Sequence, residues 1–164
     1  MRWLSCALFG VVFALGLLAQ DEPREVPDVR YKVEANYESY PQATPKEALS
    51  SVMRAIDRKR FDYVAAHLLD PAIVDRRIQE TKVTFATCVQ DVQTKLTDDP
   101  EAVRELRKFL VRGEITENGD TAMVKVAELP QRVVMLKKIG KRWFMENRRT
   151  PPPAAPEPEP KKDM

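Results

Sequence analysis

Two rhythms of apolar side chains divide this chain. From Thr44 to Leu110 they recur every three or four positions, the period of a helix with one buried face, and beyond Leu110 they alternate, the period of a strand. In TPKEALSSVMRAIDRKRFDYVAAHLLDP (Thr44 to Pro71), Leu49, Val52, Met53 and Ile56 form a first stripe. Thr44 suits the N-cap, Pro45 the first helical position, and Glu47 completes a capping box. The charged turn Asp57 to Arg60 interrupts the stripe. A second one, Phe61, Val64, Ala65 and Leu68, stops at Asp70-Pro71, because the residue before proline is pushed out of helical geometry. Past Pro71 the pattern predicts one long helix through Leu96, with Phe85, Cys88, Val89, Val92 and Leu96 on its buried face. Asp99-Pro100-Glu101 opens a further helix, capped by Asp99 and packed through Val103, Leu106 and Leu110.

The alternating part predicts two hairpins. Asn118-Gly119 is a two-residue turn signal with both residues at positive φ. That register pairs Ile115 with Ala122, Gly113 with Val124 and Val111 with Val126 on an apolar face. Thr116 with Thr121, Glu114 with Met123 and Arg112 with Lys125 occupy the other. After Leu129-Pro130, a three-residue turn Lys138-Ile139-Gly140 pairs Val133 with Met145, Met135 with Trp143 and Arg132 with Glu146. Both faces of this second hairpin are apolar, which a strand normally shows when it is covered on both sides or borders a cavity.

The ends of the chain follow neither rhythm. Residues 1–20 have a single charge, Arg2, then an uncharged run from Trp3 to Ala19 and a polar Gln20-Asp21-Glu22. This reads as a secretory signal peptide cleaved near Ala19, so the protein is expected to be exported to the periplasm or the cell exterior. The alternative is a membrane anchor formed by residues 3–19, which is short for a ~30 Å hydrocarbon core. Cleavage removes Cys6 and leaves Cys88 as the one thiol, so the domain stands without an internal disulfide. Residues 21–43 read as a mostly irregular linker with one ordered alternation, Val29, Tyr31, Val33. Residues 44–148 form the domain. Residues 149–164, with PPPAAPEPEP, read as a disordered, partly polyproline tail that serves as a spacer, docking of its prolines in an aromatic groove being the alternative.

Composition narrows the picture. At 164 residues there is room for one core, and 27 basic against 25 acidic residues is no nucleic-acid footprint. Helices followed by an antiparallel sheet argue an α+β domain with its helices on one face of about four strands.

The stretches TPKEALSSVMRAIDRKRFDYVAAHLLDP, GDTAMVKV and VVMLKKIGKRWFMEN resemble the nuclear-transport-factor-two-like superfamily, which includes the ketosteroid isomerases. The likeness is to its small exported members of unknown role, and it covers roughly residues 44–147. It implies a curved, cystatin-like cone. The chain departs from the family where Lys59-Arg60-Phe61-Asp62 replaces the usual Gly-Asp turn, and a strand expected after the short helix is not visible.

Candidate chemistry is sparse. His67 is the single histidine, so no histidine-based metal site exists, and no phosphate loop, C-x-x-C or G-x-S-x-G motif is present. No metal or cofactor is expected. Set beside Ala66 and Leu68, His67 reads as a half-buried packing residue, and Cys88 as a small buried apolar one. The one cluster available to an isomerase- or dehydratase-like enzyme is Tyr63, His67 and Asp70, with Tyr63 and Asp70 a heptad apart on one side. Lys137, Lys138, Lys141, Arg142, Arg148 and Arg149 read as a solvated hairpin tip, with binding of an acidic polymer as the alternative. The sequence therefore favours an exported, non-catalytic domain that binds a protein partner or a small apolar ligand, or dimerises through its sheet face. A cone-fold enzyme and an envelope-tethered structural module are the alternatives.

Overall fold

The helices gather on one face of a four-stranded antiparallel sheet, in a computed structural model that describes residues 25–146. The expected leader and the proline-rich tail lie outside the described residues. A short hairpin comes first, β1 (Val29–Arg30) and β2 (Val33–Glu34). The helices follow: α1 (Pro45–Asp57), α2 (Phe61–Tyr63) running into a π-helical turn (Val64–Leu68), α3 (Pro71–Thr81), α4 (Phe85–Asp98) and α5 (Pro100–Arg112). The sheet is built from β3 (Glu114–Asn118), β4 (Thr121–Lys125), β5 (Val133–Ile139) and β6 (Arg142–Glu146), in chain order.

The capping box at α1 forms as its residues dictate: the Thr44 hydroxyl accepts from the Glu47 N–H at 3.2 Å, and Glu47 Oε2 accepts from the Thr44 N–H at 3.1 Å. Ala48 and Leu49 of α1 and Phe109 of α5 pack on Ala122, Val124, Leu136 and Trp143 of the sheet. A second cluster, Val52, Ala55, Tyr63, Val64, Leu68 and Tyr40, joins α1 to the π turn.

The expected long helix after Pro71 is two helices. Lys82 takes a left-handed conformation (φ 52°, ψ 28°), and Thr84 caps α4 by accepting from the Thr87 N–H at 3.2 Å. The chain reverses there, and Arg77 of α3 meets Asp91 of α4 at 2.5 Å. Helix α5 also runs further than expected, so Val111 and Arg112 are helical rather than paired with the sheet, and Val111 is exposed. Gly113 ends it where α5 comes closest to β4.

Both hairpin registers differ from expectation. In the first, the two turn residues are Gly119 and Asp120, with positive φ (58°) on Gly119, so Ile115 pairs with Val124 and Glu117 with Ala122. This moves each partner by two places and keeps every side chain on its expected face. In the second, Gly140 and Lys141 form a two-residue turn, with Gly140 at φ 61°. Trp143 then pairs with Lys138, Met145 with Leu136, and Met135 with Glu146. The shift is odd, so Trp143 and Met135 lie on opposite faces. Trp143 joins the helix-side core, while Met135 and Phe144 are buried on the outer face.

Residues 25–43 are part of the fold, not a linker to it. They form a strap in which Val26, Arg30, Tyr40 and Gln42 are buried. The β1–β2 turn places Tyr31 (φ 53°) and Lys32 (φ 66°) in the left-handed region, which disfavours non-glycine residues. Tyr31 holds it there, its ring stacked 4.2 Å from that of Phe85 and its hydroxyl donating to Asp75 at 2.6 Å. Arg30 donates to the Ala66 carbonyl at 2.5 Å and pairs with Asp75. Gln42 closes the outer edge of β6: its carbonyl accepts from the Trp143 N–H at 2.9 Å, and its side-chain amide donates to the Trp143 carbonyl at 2.8 Å. Arg142, expected in a solvated tip, bonds Tyr37 and the Val26 carbonyl and lies 5.6 Å from the Phe144 ring centre.

Candidate functional site

Tyr63 and His67 are brought together, and Asp70 is turned away from them. The π turn inserts an extra residue, seen in the Leu69 N–H bonding the Val64 carbonyl at 3.0 Å, and Leu69 is extended. The heptad spacing of Tyr63 and Asp70 therefore does not place them on one helix face. Leu69 makes a single parallel bridge with Met145.

The Tyr63 ring lies 5.0 Å from His67 and 4.3 Å from Tyr40, and its hydroxyl accepts from the Asn36 N–H at 2.9 Å. Burial pushes its pKa up. His67 is fully enclosed rather than half-buried, with no exposed surface (0 %). Its Nε2 lies 2.9 Å from the Val33 carbonyl, which requires the proton there; Nδ1 is buried and without a partner among the described residues. Burial holds this imidazole below its ordinary pKa, and the nearby Arg30 and Arg142 add to the effect. Asp70 is the N-cap of α3: its carboxylate accepts from the Ala72 N–H at 2.9 Å, and its own N–H donates to the Met145 carbonyl at 3.0 Å. Two of the three residues are thus sealed under the strap, and the third caps a helix.

Asp70 does border a pocket of about 60 Å³ on the helix side, with Arg77, Cys88, Lys95 and the apolar Val74, Val92 and Met145. An apolar cavity of about 150 Å³ takes benzene, so this one has room for little beyond water. Cys88 is buried in its wall, in keeping with its apolar reading.

The larger concavity lies on the other face of the sheet, a groove of about 590 Å³. Successive cross-strand rows build it: Glu114–Lys125–Val133, then Thr116–Met123–Met135, then Asn118–Thr121–Lys137. Met123, Val133 and Met135 form an apolar floor, with Pro130 and Gln131 of the β4–β5 loop at one end. Lys125 lines the groove and Lys137 stands opposite Thr121 in the β4–β5 ladder, and among the described residues neither has an ion-pair partner. The alternation had already put Thr116, Met123 and Lys125 on one face. Met135 was missed because the second register was displaced.

Among the described residues no group of histidine, cysteine and carboxylate side chains is arranged to hold a metal. No helix among them is long and apolar enough to cross a membrane. No protein-family model, curated protein or solved structure matches the chain.

Proposed function

We propose that this chain is a non-catalytic binding module whose ligand is an extended, acidic segment of a protein partner lying across the outer face of the sheet. The observation that carries this reading is the groove itself: a floor carrying Met123 and Met135, with Lys125 in its lining and Lys137 on the same sheet face opposite Thr121. Methionine floors adapt to varied apolar side chains, and flanking ammonium groups select carboxylates and steer their approach. Against catalysis stands the enclosure of Tyr63 and His67, which gives a substrate no route to either. We further propose that the domain is exported, on the strength of the uncharged run Trp3 to Ala19, and that it is a divergent relative of the nuclear-transport-factor-two-like superfamily.

The test of binding is the fluorescence anisotropy of a labelled Ala-Pro-Glu-Pro-Glu-Pro peptide. The receptor is the unaltered full chain. Saturable binding is expected, weakened at least tenfold by Lys125→Glu with Lys137→Glu and weakened by salt. No binding at millimolar peptide, or binding indifferent to both lysines, contradicts the reading.

A further inference from the structure

We infer that β3 is where two copies of this chain join, their sheets continued edge to edge across a two-fold axis at Thr116. Gln42 closes the β6 edge of the sheet, and no strand among the described residues pairs with the other edge, β3 (Glu114–Asn118). Gly119 and Asp120 form a two-residue turn, so Asn118 and Thr121 are a hydrogen-bonded pair, and such pairs recur at Thr116–Met123 and Glu114–Lys125. Ile115 and Glu117 therefore point their N–H and C=O groups away from β4. The Lys138 N–H, which bonds the Asp120 carbonyl at 2.7 Å, fixes the same alternation from the other side of β4. An edge strand with such a row of free groups is a template for another chain.

A second β3 matches this edge in one register. Antiparallel pairing centred on Thr116 sets Ile115 opposite Glu117 of the copy and Glu114 opposite its Asn118. The strands overlap along their whole length, the outward groups of Ile115 and Glu117 are all used, and no glutamate faces a glutamate. Centring on Glu117 would set like charges directly opposite, which destabilises a sheet. Centring on Ile115 would bring the copy's Glu117 to Gly113, whose N–H is already held by the Phe109 carbonyl at 3.0 Å. In the Thr116 register the copy's turn, Gly119-Asp120, arrives instead at the end of α5, where Val111 is exposed and Arg112 is positive. The row Met135–Met123–Thr116 then runs on into Thr116, Met123 and Met135 of the copy. Beyond the binding role proposed for one groove, pairing joins two grooves into a single outer face.

Sedimentation equilibrium of the unaltered chain and of Glu117→Pro tests this, together with oxidation of Thr116→Cys and Glu114→Cys followed by peptide mass mapping. Proline at position 117 removes only an outward N–H and leaves the β4 ladder intact. The two copies of residue 116 face each other as a non-hydrogen-bonded pair with Cα atoms about 4.5 Å apart, within reach of a disulfide. The two copies of residue 114 lie on opposite sides of the axis, roughly 13 Å apart along the strands. The expected result is a reversible dimer whose dissociation constant rises at least tenfold in Glu117→Pro with unchanged circular dichroism. Thr116→Cys is expected to cross-link through the introduced thiols, and Glu114→Cys is not. A chain that stays monomeric at millimolar concentration overturns the inference. A dimer that neither responds to Glu117→Pro nor cross-links through Thr116→Cys overturns it in favour of another contact. If Glu117→Pro unfolds, the two cysteine variants decide alone.

Discussion

His67 Nε2 lies 2.9 Å from the Val33 carbonyl, and this bond ties the π turn to the amino-terminal strap. The proton on Nε2 leaves Nδ1 bare and buried, while Arg30 of β1 and Arg142 of β6 bring positive charge and Asp28 of the strap opposes them. A second proton on the ring is therefore resisted in the folded state and accepted in the unfolded one. Stability from the neutral ring is fully present above the unfolded pKa of about 6.5 and falls as the pH drops below it. Urea midpoints measured from pH 7.5 to 5 are expected to decline more steeply for the unaltered chain than for His67→Gln. Parallel profiles would contradict the neutral, enclosed imidazole.

Asp70 predicts a different pattern. Its carboxylate serves α3 as an N-cap, so Asp70→Ala should cost about 1–2 kcal/mol and Asp70→Asn only a few tenths, because asparagine caps equally well. Denaturant unfolding of both variants checks this. A large loss for Asp70→Asn would mean that charge, not capping, holds the residue there.

Trp143 is 2 % exposed and packs among Leu49, Leu136 and Ala122. Trp143→Ala should cost about 3–5 kcal/mol in unfolding free energy. A loss below about 1 kcal/mol would move Trp143 out of the core and undo the β5–β6 register.

Gly113 is required by close approach, not by its dihedral angles. A Cβ built there would stand 2.2 Å from the Phe109 carbonyl oxygen and 2.3 Å from Val124 Cγ1. Gly113→Ala is expected to destabilise by about 1–3 kcal/mol, and Val124→Ala in the same chain should recover part of that loss. Strictly additive losses in thermal or urea unfolding would contradict the contact.

Much of the frame was legible in the chain. Thr44, Pro45 and Glu47 announced α1, Asp99-Pro100 announced α5, and the change of period announced the sheet, because each signal is local. The registers were not, for two distinct reasons. Moving the first turn from Asn118-Gly119 to Gly119-Asp120 shifts partners by an even number, so the apolar pattern fits both. The second hairpin is apolar on both faces, so its pattern does not resist the odd shift that sets Trp143 opposite Lys138. The strap was hidden because its turn is built from Tyr31 and Lys32, which carry no glycine or asparagine signal and are held by Asp75 and Phe85 from distant helices. The π turn likewise has no local signature, and with it went the relation of Tyr63 to Asp70. Lys125 and Met123 were placed on the right face, yet a groove needs Met135 beside them, which only the β4–β5 pairing supplies.

Ligands are proposed to bind on the outer face of the sheet and not on the helix side, and the methionines report it directly. Met123 and Met135 line the groove, Met145 borders the small helix-side pocket, and Met53 is buried within α1. Methyl-labelled methionine spectra of the unaltered chain, titrated with the Ala-Pro-Glu-Pro-Glu-Pro peptide, should show Met123 and Met135 shifting to saturation while Met53 and Met145 stay in place. Saturating shifts at Met145 with Met123 and Met135 unmoved would contradict the account.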